Sequence, residues 1–270
     1  MSKYRVYISD YDYPDNEIEK EVLEPIGAEV IGLHCRTGEG LSELAGDADV
    51  ILQQYAKIPR ATIESLKRCK AICRYGIGVD IVDVDAAYEH GMVVTNVPDY
   101  ALDEVADHAI ALALMLVRRI PTYDAAVRGG TWHWSAATGI QRLRDSVWGF
   151  IGFGRIAQNI ARKIRIFGFD IRAYDPFVSE SYMATMGVSK ADLGTILRES
   201  DVVDVMAPQT RETTGMIGRN ELKMMKPTAV LVNCARGKIV QNEALVMALK
   251  NGWIAAAGLD DLEEEPAKLA

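Results

Sequence analysis

The 270-residue sequence predicts an α/β fold in which helices flank parallel sheets. Short apolar segments alternate with helical patterns along the whole chain, which is typical of this class. The apolar segments end in Gly, Pro, Asp or Asn, residues that supply turns. Near the middle of the chain, one segment leads into Gly152 and Gly154, a glycine spacing that often joins a strand to a helix.

Residues 1–98 form the first predicted domain. A helix is expected over residues 16–25 because the pattern between the first two apolar segments is helical. The predicted strands of this domain cover residues 5–8, 28–33, 50–53, 71–74 and 93–97.

A long helix is predicted after this domain, beginning at residues 98–99. Asp103 lies in its early turns and Arg119 at its end, a charge order that suits the helix dipole, and Pro121 is expected to stop it. Its middle part, residues 109–117, is apolar on all sides and is therefore expected to be buried on several sides. The helix opens the second predicted domain, residues 99–270.

An irregular arm over residues 128–134 follows the long helix and contains Trp132 and Trp134 beside two glycines. Aromatic residues in such a setting favour a docking surface for a second subunit. The alternative, in which both tryptophans cover their own domain, stays open at this point.

Composition excludes several functional classes. The chain is 49% hydrophobic and 25% charged, and its net charge of −8 comes without a cluster of Lys or Arg, which disfavours a nucleic acid or an anionic membrane as its partner. The longest apolar run, residues 109–117, is far shorter than a membrane span, and the N-terminus lacks the apolar core of a signal peptide.

The four cysteines are scattered at positions 35, 69, 73 and 234. Cys69 and Cys73 have no second pair at the spacing of a zinc site, so we predict no metal. Reduced thiols without a disulfide framework favour a cytoplasmic protein.

The strongest local signal is a strand pattern from Val147 that runs directly into Gly152-x-Gly154-x-x-Ala157. Gly152 permits a tight turn, Gly154 lets a pyrophosphate approach the backbone, and Ala157 lets the following helix pack closely. A pyrophosphate would then rest on the free amides of a helix N-terminus, at Arg155 and Ile156.

Asp175 ends the next predicted strand, residues 169–175, and lies 21 residues after Gly154. An acid at this distance accepts hydrogen bonds from the ribose hydroxyls and repels a 2′-phosphate, so the pattern favours NAD over NADP. The alternative is a glycine turn followed by a surface aspartate. Further strands are predicted over 202–206, 229–233 and 255–259, and the first leads into Ala207 and Pro208 at the ligand edge of the sheet.

Three stretches together resemble the D-isomer-specific 2-hydroxyacid dehydrogenases, including members similar to the C-terminal-binding-protein corepressors and to phosphoglycerate dehydrogenase. They are Arg74–Asp80 with 95–98, the glycine turn with Asp175 and Pro176, and 233–237 with 258–260 and 265–266. The resemblance implies two Rossmann-like domains with the active-site cleft between them. The first domain would bind substrate and the second NAD, and a homodimer would form through the cofactor domains.

The resemblance also implies site residues. Arg236 would bind and polarise the substrate, with the amides of Ile77 and Gly78 holding its carboxylate, and Glu265 would pair with a catalytic histidine. Tyr55 and Tyr100 would face the substrate or, alternatively, serve only in packing. The residues implied at the cofactor are Gly152, Gly154, Arg155, Ile156, Asp175, Pro176, Ala207, Pro208, Thr213, Cys234, Ala235 and Asp260.

The sequence departs from the family pattern in its histidines. The family histidine should follow Glu265 by some twenty-odd residues, whereas this sequence ends at Ala270, so we expect that histidine in a C-terminal segment outside it. None of His34, His90, His108 and His133 occupies the family position, and His108 reads as structural.

Two further departures concern polarity. Asp204 interrupts an apolar strand and would be costly if buried without a partner. Residues 53–55, Gln-Gln-Tyr, lack the basic pattern of relatives that act on a phosphorylated acid.

The resulting interpretation is hydride transfer between NAD(H) and a small, unphosphorylated 2-keto or D-2-hydroxy acid. Two alternatives remain open: an NAD(H)-sensing regulator of corepressor type without turnover, and a dinucleotide-binding pseudoenzyme.

Overall fold

A computed structural model describes residues 3–263 of the chain. The chain divides into two compact units, Met1–Tyr100 and Ala101–Ala270. Sequence analysis had put the boundary after residue 98. Each unit contains its own parallel sheet, as the predicted α/β class requires.

The first unit contains a five-stranded parallel sheet in the order β2-β1-β3-β4-β5. The strands are β1 (Tyr4–Ile8), β2 (Ala28–Gly32), β3 (Val50–Gln53), β4 (Ala71–Arg74) and β5 (Val93–Thr95). The helices are α1 (Glu17–Leu23), α2 (Gly38–Leu44), α3 (Arg60–Ser65) and α4 (Val84–Glu89). All five predicted strands are confirmed, although β5 ends two residues early because Val97 donates its N–H to the Gly76 carbonyl in a neighbouring loop.

Alternation along the strands builds the core of this unit. Ile51 on β3 and Ile72 on β4 are paired in register, and both are fully buried. Leu41 of α2 and Ile63 of α3 pack into the same cluster. Burying each such side chain contributes roughly 1.5–3 kcal/mol, so the helices are fixed to the sheet mainly by apolar contact.

The second unit begins with α5 (Leu102–Val117) and α6 (Ile120–Arg128). One stripe of α5 is fully buried, formed by Ala106, Ala109, Ala113 and Val117. Ile110, Leu112 and Leu116 are partly buried against the same cluster, whereas Ala111 is exposed. The apolar middle is therefore buried on more than one side, but completely so only along this stripe.

The end of α5 differs from the prediction. The chain leaves the helix at Arg119, which adopts a left-handed conformation with φ of 56°. Pro121 lies in the first turn of α6. A proline is compatible with a first helical turn because its missing N–H would have no partner there, so Pro121 starts a helix where we expected it to stop one.

The sheet of the second unit has six parallel strands in the order β11-β10-β9-β6-β7-β8. They are β6 (Val147–Ile151), β7 (Asp170–Tyr174), β8 (Ser189–Lys190), β9 (Val202–Val205), β10 (Val230–Asn233) and β11 (Ala256–Leu259). The remaining helices are α7 (Arg155–Ile164), α8 (Glu180–Thr185), α9 (Leu193–Glu199), α10 (Arg219–Met224) and α11 (Asn242–Lys250). This is the doubly wound dinucleotide-binding order, and its direction reverses between β6 and β9.

Both faces of this sheet are covered. Trp148 and Phe150 of β6 point into the cluster that includes α5 and α7. Ile151 of the same strand points into the opposite cluster, with Leu231 and Leu245. Burial on two faces explains why these strands read as continuous apolar runs.

The arm between α6 and β6 leaves both of its tryptophans in solvent. Trp132 is 87% exposed and Trp134 is 79% exposed. The alternative in which they cover their own domain is therefore not supported. None of the helices in residues 3–263 is both long enough and apolar enough to cross a lipid bilayer.

Candidate functional site

The glycine turn lies where β6 ends and α7 begins, at the point where the strand order reverses. Gly152 has φ of 90°, and a Cβ added to it would stand 2.6 Å from the backbone nitrogen of Ala207. Glycine is thus the residue that lets the end of β6 touch the segment after β9. A Cβ added to Gly154 would meet nothing within 4 Å, so the backbone there borders open space.

The N-terminus of α7 faces this open space without a side-chain cap. Gly154 occupies the N-cap position and has no side chain to accept a bond from the first amides of the helix. The helix is amphipathic, with Ile160 and Ile164 buried, and the 3-10 turn that follows it, Arg165–Phe167, is capped by Gly168 in the left-handed conformation. Free amides at the positive end of a helix dipole attract an anion.

Asp175 follows β7, and the structure brings its carboxylate to the tip of the glycine turn. Its Oδ2 accepts the N–H of Phe153 at 2.8 Å. Its Oδ1 accepts the N–H of Phe177 at 2.8 Å and that of Val178 at 3.1 Å. Since a carboxylate has about four acceptor sites, two on each oxygen, one site remains on Oδ2 for a hydroxyl donor.

These features fit a dinucleotide. The open space at Gly154 leaves room for a pyrophosphate, and the uncapped amides of α7 supply partial positive charge for it. The carboxylate of Asp175 binds Phe153, the residue between the two glycines of the turn. Arg155 and Ile156 begin the helix, and Pro176 is exposed beside Asp175.

The loop after β9 contains three of the predicted cofactor residues. Ala207 is buried against Gly152. Thr213 closes the loop, because its hydroxyl donates to the Pro208 carbonyl at 2.6 Å and accepts the N–H of Thr210 at 2.7 Å. The loop is therefore held by its own side chains at the edge where β6 and β9 diverge.

The turn after β10 presents Arg236. Asn233 is fully buried and shapes this turn, since its amide group donates to the Arg236 carbonyl at 3.0 Å and accepts the Ala235 N–H at 3.1 Å. The Arg236 guanidinium lies 3.7 Å from the carboxylate of Asp261, in the segment after β11. Its planar set of donors suits a carboxylate or a carbonyl oxygen.

Cys234 and Asp260 lie beside Arg236 along this edge. Cys234 is buried, and burial raises the pKa of its thiol to about 12, so the thiol stays protonated. Asp260 donates its backbone N–H to the Asn233 carbonyl, and its carboxylate lies 3.4 Å from Nε2 of His108 on α5. No local sequence pattern indicates this contact, because 152 positions separate His108 from Asp260.

The first unit contains the predicted substrate loop after β4. Among residues 3–263, the N–H groups of Ile77 and Gly78 donate no hydrogen bond. Their carbonyls are engaged, by Asn96 Nδ2 at 2.7 Å and by Arg74 Nε respectively. The loop therefore offers two free donors that could hold a carboxylate.

The two predicted tyrosines of this unit are both exposed. Tyr55 follows β3, and the guanidinium of Arg36 lies over its ring at 4.9 Å. Tyr100 is 63% exposed, at the end of the unit.

Comparison with known proteins identifies the family. Residues 110–270 match the family model described as D-isomer specific 2-hydroxyacid dehydrogenase, NAD binding domain. The chain belongs to the D-isomer-specific 2-hydroxyacid dehydrogenase family. The resemblance, the α/β fold class and the NAD-binding domain expected from the sequence are thereby confirmed.

Sequence relatives support this membership. The D-3-phosphoglycerate dehydrogenase of Archaeoglobus fulgidus is 38% identical over 257 residues, covering 91% of this chain and 49% of that protein. The glyoxylate reductase of Thermococcus litoralis is 40% identical over 216 residues, covering 78% of this chain and 65% of its own length. The chain thus spans about half the length of the phosphoglycerate dehydrogenases that it matches.

Solved structures give the same family. The D-lactate dehydrogenase of Aquifex aeolicus, complexed with NAD and lactic acid, superimposes with a TM-score of 0.87 at 28% identity. The superposition covers 97% of this chain and 78% of that one.

The second unit of the chain brings together the predicted cofactor residues at one sheet edge, and the first unit holds the predicted substrate loop. Glu265 lies outside the described residues. Three supporting side chains were not predicted: Asn233, which acts within its own turn, and Asp261 and Asn96, which bind groups 24 and 19 positions away.

Proposed function

We propose that the protein transfers a hydride between NAD(H) and a small, unphosphorylated 2-keto or D-2-hydroxy acid. The observation that carries the proposal is the glycine turn with the Asp175 carboxylate fixed at its tip, at the switch point of a doubly wound sheet. When bound, NADH would supply the hydride, and the residues of this chain would bind and orient the reactants.

Asp175 is assigned to the adenosine ribose. Three backbone amides hold its carboxylate in place while leaving one acceptor site, on Oδ2, for a ribose hydroxyl. A 2′-phosphate at the same position would meet a fixed negative charge, which supports NAD as the preferred cofactor.

Arg236 is assigned to the keto acid. Its guanidinium would donate to the carboxylate and the carbonyl oxygen, and would stabilise the negative charge that develops on that oxygen as hydride arrives. Asn233 and Asp261 support the orientation of this turn. The N–H groups of Ile77 and Gly78 are assigned to the substrate carboxylate, with Tyr55 and Tyr100 as substrate-facing side chains.

The proton for the new hydroxyl is assigned to a histidine paired with Glu265, as the family resemblance implies. A carboxylate beside an imidazole favours its protonated form, which is the form needed to deliver the proton.

Charges around Tyr55 support an unphosphorylated substrate. Arg36 is the cation that contacts Tyr55, and it is already paired with Asp12 at 2.6 Å and lies 3.6 Å from Asp10. Because Arg36 is already engaged by these two carboxylates, its charge is largely neutralised and offers little attraction to a phosphate beside Tyr55.

We also propose a cytoplasmic homodimer. The exposed tryptophans of the arm, Trp132 and Trp134, offer the aromatic area that subunit interfaces favour. The four cysteines are all free thiols, as expected in a reducing compartment.

The test is oxidation of NADH, followed by absorbance, with glyoxylate, pyruvate, hydroxypyruvate and phenylpyruvate. We expect turnover with at least one acid and loss of about 10³-fold or more in kcat/KM for Arg236→Ala, because such charge stabilisation is worth several kcal/mol. Arg198→Ala, which removes an exposed arginine on α9, is the matched control. Tight NADH binding without turnover on any acid would instead favour the regulatory alternative.

A further inference from the structure

We infer that Asp10 and Arg74 form a charged bracket that fixes two loops of the first unit, residues 54–56 and 76–78, and that Arg74 is a positioning residue for the keto acid carboxylate. The inference rests on the proposed function, because it assigns the N–H groups of Ile77 and Gly78 to that carboxylate. The Asp10–Arg74 bracket consists of these two side chains and the backbone groups that they bind.

Asp10 is the acidic half of the bracket. It lies two residues after β1 and is 1% exposed. Its carboxylate accepts the N–H groups of Gln54, Tyr55 and Ala56 at 3.4, 2.7 and 3.1 Å. The Ser9 hydroxyl donates a further bond at 2.7 Å. One buried charge therefore gathers three successive amides, which bends the chain sharply as it leaves β3.

Arg74 is the basic half and the last residue of β4. Its guanidinium donates from one terminal nitrogen to the Gln54 carbonyl at 2.9 Å and from Nε to the Gly78 carbonyl. A single planar group thus spans both loops. Gln54 is bound from both sides, since its N–H meets Asp10 and its carbonyl meets Arg74.

The carbonyl bonds determine where the free N–H groups point. The carbonyls of Gly76, Ile77 and Gly78 accept bonds from the Val97 N–H, the Asn96 amide and Arg74, in that order. In a trans peptide the N–H points opposite to the carbonyl of the preceding residue. The N–H groups of Ile77 and Gly78 are therefore turned away from Val97 and Asn96.

Arg74 has two effects on this loop. Its bond to the Gly78 carbonyl fixes the Gly78–Val79 peptide, which directly follows the two donors, so the loop need not be ordered by the ligand itself. Its positive charge also lies close to the two amides and favours an anion beside them. Glutamine at position 74 would remove both effects, whereas lysine would retain the charge and lose the two-carbonyl span.

The experiment compares Arg74→Gln, Arg74→Lys and Arg68→Gln in the full chain. Arg68 is the matched control, because it is an arginine of the same unit that pairs with Asp49 at 2.9 Å. This pair lies at the N-terminal ends of β3 and β4, away from the two loops. The probe is oxamate, whose carboxylate adjoins a carbonyl as in a keto acid. We would measure amide hydrogen exchange over residues 53–58 and 75–80, the Kd of NADH, and the Kd of oxamate in saturating NADH.

For Arg74→Gln we expect exchange in both segments to rise by about tenfold or more, and oxamate affinity to fall by about ten- to a hundredfold, as for lost hydrogen bonds to a charged group. The Kd of NADH should stay unchanged, because the cofactor residues belong to the other unit. Arg74→Lys should give an intermediate oxamate affinity, and Arg68→Gln should change neither quantity.

The outcomes distinguish the structural role of Arg74, which is to fix the two loops, from its positioning role for the carboxylate. Unchanged exchange in Arg74→Gln, or an equal effect in Arg68→Gln, would overturn the bracket. Faster exchange with normal oxamate affinity would overturn the positioning role. Failure of the native chain to bind oxamate, together with faster exchange in Arg74→Gln, would refute the proposed function and leave Arg74 as the support of the two loops. Should Arg74→Gln fail to fold, Arg74→Lys decides by the same criteria.

Discussion

The C-terminal edges of the two sheets present free amide donors in different ways. In the second unit the donors are the uncapped amides of α7, and a glycine of positive φ gives the turn its shape. In the first unit the donors are the amides of the irregular loop 76–78, which Arg74 at the end of β4 and Asn96 after β5 hold by their side chains. The first arrangement is built from consecutive residues, whereas the second depends on side-chain contacts 4 to 19 positions apart.

The difference predicts how each edge fails. A backbone-defined site should be sensitive to a Cβ added where the backbone is tightly packed, as at Gly152, and should there lose stability together with its ligand. A side-chain-defined site should lose ligand affinity while its sheet remains stable, because the bracket lies outside the apolar core.

Gly152→Ala should have the largest effect. The substitution places a Cβ on a backbone with φ of 90°, which is strained for alanine. The same Cβ would stand 2.6 Å from the backbone nitrogen of Ala207, and these backbone atoms cannot move apart without disturbing the sheet. We expect a loss of about 3 kcal/mol in the free energy of unfolding, measured by urea denaturation.

Gly154→Ala is the matched control for this comparison. Its Cβ would meet no atom within 4 Å, so stability should change by less than about 1 kcal/mol, while NADH affinity should fall because the added methyl occupies the space for the pyrophosphate. Equal stability losses in the two variants would contradict a site defined by the backbone of Gly152.

Two buried aspartates sharpen the comparison. Asp10 in the first unit has four hydrogen-bond donors. Asp204 in β9 of the second unit is fully buried, and its only described donor is Trp148 Nε1 at 3.2 Å. Burial raises the pKa of Asp204 to about 8, so this carboxyl is mostly neutral in the folded protein at pH 7.

The sign of the resulting pH dependence follows from linkage. The unfolded carboxyl loses its proton near pH 3.9, whereas the folded one keeps it to about pH 8, so stability is lost as pH rises through this window. The loss is at most about 1.4 kcal/mol per pH unit. We expect Asp204→Asn to remove about 2 kcal/mol of the decline between pH 5 and 7, measured by urea unfolding.

Asp192, the N-cap of α9, supplies a control of opposite sign. Its hydrogen bonds from Thr195 lower its pKa, so the stability it contributes is lost as pH falls. If the free energy of unfolding still declined between pH 5 and 7 in Asp204→Asn as in the native chain, Asp204 would be ionised in the folded protein.

Asp175→Asn tests cofactor choice at the backbone-defined edge. The asparagine side chain retains one acceptor oxygen but loses the negative charge that would bind the Phe153 N–H and a ribose hydroxyl. We expect the preference for NADH over NADPH, measured as a ratio of Kd values, to fall by about tenfold. Asp170→Asn changes a half-exposed acid at the other end of β7, paired with Arg172, and should leave the ratio unchanged.

The same contrast explains what the sequence could predict. Gly152, Gly154 and Asp175 lie within one strand–helix–strand unit, so their roles follow from spacing alone, and the parallel strands follow from apolar runs. Arg74, Asn96 and the pair His108–Asp260 act through partners distant in sequence, which no local pattern encodes.

The helices around residue 120 show what a local pattern leaves open. In α5, apolar residues on all sides indicated burial on several sides, and the structure adds that complete burial is confined to one stripe, while Ile110, Leu112 and Leu116 are only partly buried. At Pro121 the residue type was compatible both with the end of one helix and with the start of the next, and the left-handed Arg119 decided between them.

Asn96→Ala should have the smallest effect and tests the side-chain-defined edge. It removes the hydrogen bond from the Asn96 amide to the Ile77 carbonyl while the Val97 bond to Gly76 and the Arg74 bond to Gly78 remain. A single neutral hydrogen bond is worth about 1 kcal/mol, so we expect oxamate affinity to fall by about fivefold. Asn96→Asp would present an acceptor to the Ile77 carbonyl, and we expect a larger loss from it, since two acceptors then repel each other beside the anion. If Asn96→Ala weakened oxamate binding more than Arg74→Gln does, the loop would depend mainly on β5, and the contrast between the two edges would need a different explanation.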